Sequence, residues 1–150
     1  IQLNQKIMKK QFSVLIFVTT LFVLLHTQNV TAQNNAYKVV FDITSSDSTD
    51  HQSLIRWLNG ISKSNPNAKM EVVFYGKSLQ MVTMEKSMVA EEVQKLAKNK
   101  NISFRVCEMA LKRRQLTKSD LLPGVETVPD GIAEIVQRQT EGWGYIKAGR

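Results

Sequence analysis

From Tyr37 to Lys147, short runs rich in β-branched and aromatic residues alternate with stretches of helical period, and few folds accept that order. Tyr37–Ile43 (YKVVFDI), Lys69–Tyr75 (KMEVVFY) and Ile102–Val106 (ISFRV) read as buried strands, and Val125–Val128 and Gly142–Lys147 as two shorter ones. Leu54, Leu58 and Ile61 fall at i, i+4, i+7, as do Val89, Val93 and Leu96. Each triplet predicts a helix with one apolar face. Lys77–Met84 predicts a short helix and Glu108–Leu116 a further one. Asp130 is placed to cap a helix over 131–140 that turns Ile132, Ile135, Val136 and Gln139 to one side. The resulting β-α-β-α-β-α-β-α-β order calls for right-handed crossovers. The expected fold is α/β: a mostly parallel five-stranded sheet with helices on both faces.

The segment before this domain has a different character. Lys9 and Lys10 precede an apolar run, Phe12–Leu25, interrupted only by Ser13, Thr19 and Thr20. Small and polar residues, Thr31-Ala32-Gln33, follow it. This is the layout of a secretory signal peptide, and the run is short of the ~20 residues that a spanning helix needs. Residues 1–33 are therefore expected to be a leader with upstream residues, and 34–150 a single domain. The product is expected to be exported, periplasmic or secreted, with no membrane attachment after cleavage.

Export alters what the charge implies. The whole chain carries +7, but the leader holds Lys6, Lys9 and Lys10 and no acid, so the remainder carries +4. A mild excess of that size favours solubility and does not argue for nucleic acid. With 43% hydrophobic and 22% charged residues, the composition is that of a globular protein. One Cys and two His exclude a disulfide framework and a thiolate-rich zinc site and leave little for a His-based one, so no metal is expected.

In a parallel sheet, ligands bind beyond the carboxyl ends of the strands. Three features meet there: the Thr44–Asp50 loop, Gly76-Lys77 and Cys107. The loop has no glycine, so it is neither a dinucleotide fingerprint nor a P-loop. Its serines lack the G-x-S-x-G setting of a serine hydrolase. His51 is a candidate base, and Asp42 a candidate loop-ordering acceptor. Cys107 is the one strong nucleophile, and its position admits two readings. It is either a small buried hydrophobe, or a thiolate favoured by a helix N-terminus and by Arg105, Lys112, Arg113 and Arg114. The basic run is in turn either a solvated face or an anion site near the thiol.

A series of landmarks in order adds to this reading. They are Val72-Val73-Phe74-Tyr75-Gly76, Val106-Cys107 with Leu111, Asp120-Leu121-Leu122-Pro123-Gly124-Val125, Val128-Pro129-Asp130-Gly131, Gln139 and Glu141-Gly142-Trp143-Gly144-Tyr145-Ile146. Together, across residues 37–147, they resemble the DsrE/DsrF-like family. The resemblance implies a flavodoxin-like three-layer fold and assembly into trimers or hexamers. It also implies sulfur handling, with a persulfide carried on the cysteine matched by Cys107. On that basis the chain is expected to be an exported sulfur carrier or sulfurtransferase-like protein, with a sulfane-sulfur donor or acceptor protein as partner. No organic cofactor is expected, since a thiol carrier of sulfur requires none. Two other readings stay open. One is a non-enzymatic oligomeric binding module in which Cys107 only packs, and the other is a redox sensor acting through Cys107.

Overall fold

A computed structural model describes residues 37–149. The expected leader lies outside the described residues. Five strands form one sheet: β1 (Lys38–Ile43), β2 (Lys69–Phe74), β3 (Ile102–Cys107), β4 (Val125–Val128) and β5 (Gly144–Ala148). All pair in parallel, in the order β4-β3-β2-β1-β5. The helices are α1 (Ser48–Ser64), α2 (Ala90–Ala97), α3 (Glu108–Arg113) and α4 (Gly131–Thr140). Among the described residues, no helix is long and apolar enough to cross a membrane.

Strand pleating divides the apolar residues between two faces. Val39, Phe41 and Ile43 of β1, Met70, Val72 and Phe74 of β2, and Phe104 and Val106 of β3 belong to the larger core. They pack with Leu54 and Leu58 of α1, Val93 and Leu96 of α2, and Leu111 of α3. The Phe74 and Phe104 rings meet at 6.1 Å between centroids. The alternate residues Val40 and Val73 form a small second cluster with Ile135 of α4, flanked by Tyr75. Helices α1 to α3 therefore share one face and α4 covers the other, which makes three layers.

The helix ends follow local chemistry. The Asp47 carboxylate accepts the Thr49 N–H at 2.8 Å, so α1 starts inside the segment expected to be a loop. The Asp130 carboxylate accepts the N–H groups of Ile132 and Ala133, capping α4 as expected. The helix expected over 108–116 ends at Arg113, because Gln115 adopts a left-handed conformation (φ 55°) that reverses the chain. The short helix expected over 77–84 is a 3-10 turn at Ser78–Val82. The Ser78 hydroxyl lies 2.7 Å from the Ile43 carbonyl oxygen and 2.9 Å from that of Tyr75, tying the turn to the ends of β1 and β2.

One expectation about burial is corrected. The stripe of α4 that faces the sheet is Gly131, Glu134, Ile135 and Arg138, at i, i+3, i+4 and i+7. Ile132 and Val136 are exposed, as is Gln139. The sheet beneath α4 carries charge, so the helix turns charged residues toward it. Glu71 of β2 is 1% exposed; it accepts from Arg138 Nε at 3.0 Å and from the Ser103 hydroxyl at 3.0 Å. Arg138 also pairs with Glu134 and Glu141 and lies over the Trp143 ring. Arg105 pairs with Glu126 and approaches Glu71 at 3.8 Å. The Glu71 bond, chiefly, holds the Arg138 guanidinium above its ordinary pKa. Burial, then Glu71, pushes the Glu134 carboxyl up.

Candidate functional site

The sheet order defines a crevice. Strands β1, β2 and β3 each hand the chain to the face of α1, α2 and α3, whereas β4 hands it to α4 on the other face. Neighbouring connections therefore diverge between β3 and β4, the kind of place where open parallel sheets bind ligands. Cys107 is the last residue of β3, and it is paired in register with Val128, the last of β4. It also precedes α3 as its N-cap residue.

Across the crevice stands the N-terminus of α4. A Cβ built on Gly131 would lie 3.1 Å from the Cys107 Cβ, 3.1 Å from Val73 Cγ1 and 3.6 Å from Tyr75 Cδ1. Glycine at this position lets the helix start approach the cysteine closely. The first-turn N–H groups of Ile132 and Ala133 are taken by Asp130. Cys107 is a free thiol and is buried, with 7% exposure.

Beyond Tyr75, the carboxyl edge on the α4 side holds a polar cluster. Asp42, at the end of β1, accepts the Tyr145 hydroxyl at 2.7 Å and the Lys147 ammonium at 3.2 Å. The Tyr75 phenol stands near enough to feel the Asp42 charge, and Lys147 lies 5.8 Å from the centre of its ring. Burial, then the neighbouring Asp42 carboxylate, raises the Tyr75 phenol well above its ordinary pKa. Tyr145 is pushed up to about 12, chiefly by its bond to Asp42. Asp42 thus ties β5 to the end of β1. Sequence reading singled out Asp42 but missed Tyr145 and Lys147 as its partners. The one signal was an acid ending an otherwise apolar strand.

The other candidates separate from the thiol. His51 is buried in the first turn of α1, with Nε2 2.9 Å from the Ser45 carbonyl oxygen, and holds the turn that leads into the helix. The Thr44 loop and Gly76 do meet, through a Lys77 N–H to Thr44 carbonyl bond of 3.1 Å. Arg105 is engaged by acids. Lys112, Arg113 and Arg114 follow Cys107 by five to seven residues, about 8 Å or more along the helix at ~1.5 Å per residue. Arg113 and Arg114 line a groove that Cys107 does not line. Among the described residues, no group of three or more His, Cys, Asp or Glu is placed to hold a metal ion.

The profile of the DsrE/DsrF-like family matches residues 38–148, the whole of this domain. The chain belongs to that family. Protein MTH1491 from Methanobacterium thermoautotrophicum, described as of unknown function, is 32% identical. Its structure superposes with a TM-score of 0.70 over 74% of this chain and 98% of that one. The ychN protein of E. coli shares the fold at 12% identity and a TM-score of 0.59, over 74% of this chain and 97% of its own. Protein BT1422 from Bacteroides thetaiotaomicron does so at 13% identity and 0.62, over 73% and 93%. No curated protein matches this chain. The all-parallel, three-layer DsrE-like fold therefore stands on sequence profile and structure alike, and membership supports a sulfur-relay-like family role.

Proposed function

We infer that this DsrE/DsrF-like protein is a sulfur carrier of sulfurtransferase-like type that holds sulfane sulfur on Cys107 as a persulfide. The observation that supports it is the position of Cys107 in the crevice between β3 and β4, against the start of α4. In the reaction, the Cys107 thiolate attacks the outer sulfur of a persulfide or thiosulfate donor. A new S–S bond forms to Cys107 as the donor's S–S bond breaks, and the donor leaves as thiolate or sulfite with the electron pair. Transfer to an acceptor thiolate repeats the exchange in reverse, so neither metal nor organic cofactor enters. The reading includes export directed by residues 1–33 and assembly into a trimer or hexamer. Light scattering on the purified protein tests the assembly.

A second reading has its own support. At 7% exposure the thiol is close to fully covered, as in a binding module where Cys107 only packs. Intact mass after incubation with thiosulfate or polysulfide separates the two. The carrier gains ~32 Da, lost on reduction and absent in Cys107→Ser, corresponding to one persulfide sulfur. No gain, with a thiol that labels only after denaturation, would leave the binding module.

A further inference from the structure

The exit of β2 and the far end of α3 enclose a groove of about 430 Å³, within the size range of small-molecule sites. Its lining is two-sided. Leu79 and Leu116 supply apolar wall, and Lys86, Arg113 and Arg114 supply charge. Elsewhere the cations facing the sheet are neutralised within the chain: Arg105 and Arg138 by Glu71 and its neighbours, Lys147 by Asp42. In the groove the pattern reverses. Among the described residues, no carboxylate lies within ion-pair distance of Lys86, Arg113 or Arg114. Asp120, on the segment that bonds to Met84 beside the groove, turns its carboxylate onto the N–H and hydroxyl of Thr117.

Three like charges held around one concavity repel each other, and the fold fixes one of them there. Arg114 Nε donates to the Gly76 carbonyl at 2.6 Å, joining the end of α3 to the exit of β2. That bond leaves the rest of the guanidinium available as a fork, the geometry that suits oxyanions. We propose that this groove is a binding site for a small multivalent oxyanion of the phosphate class, held by Lys86, Arg113 and Arg114. The site does not include Cys107 and stands apart from the persulfide reading.

Calorimetric titration of the full-length chain with sodium pyrophosphate tests it, at about 0.15 M ionic strength, where diffuse attraction is screened. The expected result is saturable binding. Affinity falls by about tenfold or more in Lys86→Ala/Arg113→Ala and also in Gln80→Glu, which puts an anion into the groove. The control Lys63→Ala/Lys95→Ala removes the same charge from other helices and binds as the parent does. Absence of saturation overturns the proposal. So does an equal loss in the control, which would mark the binding as non-specific attraction to a basic protein.

Discussion

A Cβ on Gly131 would meet the Cβ of Cys107 at 3.1 Å, so the start of α4 and the end of β3 are as close as a residue without a side chain allows. Gly131→Ala asks Cys107 and Val73 to yield by a few tenths of an ångström. Gly131→Val adds the same Cβ and two methyl groups beyond it where the interior is already filled. Overpacking of this kind costs about 1–3 kcal/mol. The urea midpoint should fall for the Val variant with the slope unchanged, and fall less for Ala. A Val variant as stable as the parent would mean that α4 shifts freely, and that the close approach to Cys107 is not a fixed feature.

Glu71 is the charged centre beneath α4, and its loss leaves Arg138 Nε and the Ser103 hydroxyl without their acceptor. Breaking a buried pair by removing one partner costs about 3–5 kcal/mol, and a value near the lower end is expected because Arg138 is partly solvated. Glu71→Ala should therefore destabilise by about 3 kcal/mol in chemical denaturation. Glu71→Ala/Arg138→Ala should cost clearly less than the two single changes added together. Additive costs would show that the two side chains do not act as a pair.

The same charged layer explains where sequence reading succeeded and where it failed. The runs at 37–43 and 69–75 are legible as strands because a buried parallel strand is largely apolar, which hydropathy detects directly, and 102–106 is legible through its alternating apolar residues. The α4 helix was also legible through its Asp130 cap, but its inward face was not. Ile132, Ile135 and Val136 point to one angle, whereas the sheet selects Gly131, Glu134, Ile135 and Arg138. A charge buried because its partner lies 67 residues away, as with Glu71 and Arg138, leaves no local periodic trace. Cys107 was legible as a strand-end thiol. The strand order that puts it at the divergence between β3 and β4 is a tertiary fact, and so is the engagement of Arg105 by acids.

Asp42 holds Tyr145 and Lys147 at the edge beside the crevice. A phenol donating to a carboxylate resists ionising, because the phenolate would face that negative charge. The difference titration at alkaline pH between the parent and Tyr145→Phe should give a midpoint of about 12. In Asp42→Asn the midpoint should move down toward the ordinary value of 10.0. The folded pKa is the raised one, so this interaction supports the fold below pH 10 and is lost as pH climbs through the folded value. An unchanged midpoint in Asp42→Asn would assign the shift to burial instead.

Glu134 titrates against two opposing influences. Its bond to Arg138 at 2.7 Å favours the carboxylate, while burial and the neighbouring Glu71 disfavour it and prevail, so its folded pKa lies above 4.5. Between the unfolded and folded values the native state binds more protons than the unfolded chain. Stability supplied by this group is therefore complete below pH 4.5 and declines as pH rises through the folded value. Glu134→Gln cannot ionise and escapes that decline. Its stability relative to the parent should improve steadily as denaturation midpoints are compared from about pH 4 to pH 7. If the variant instead loses ground over that window, the ion pair with Arg138 outweighs burial and Glu71, and Glu134 is an ordinary salt-bridge carboxylate with a lowered pKa.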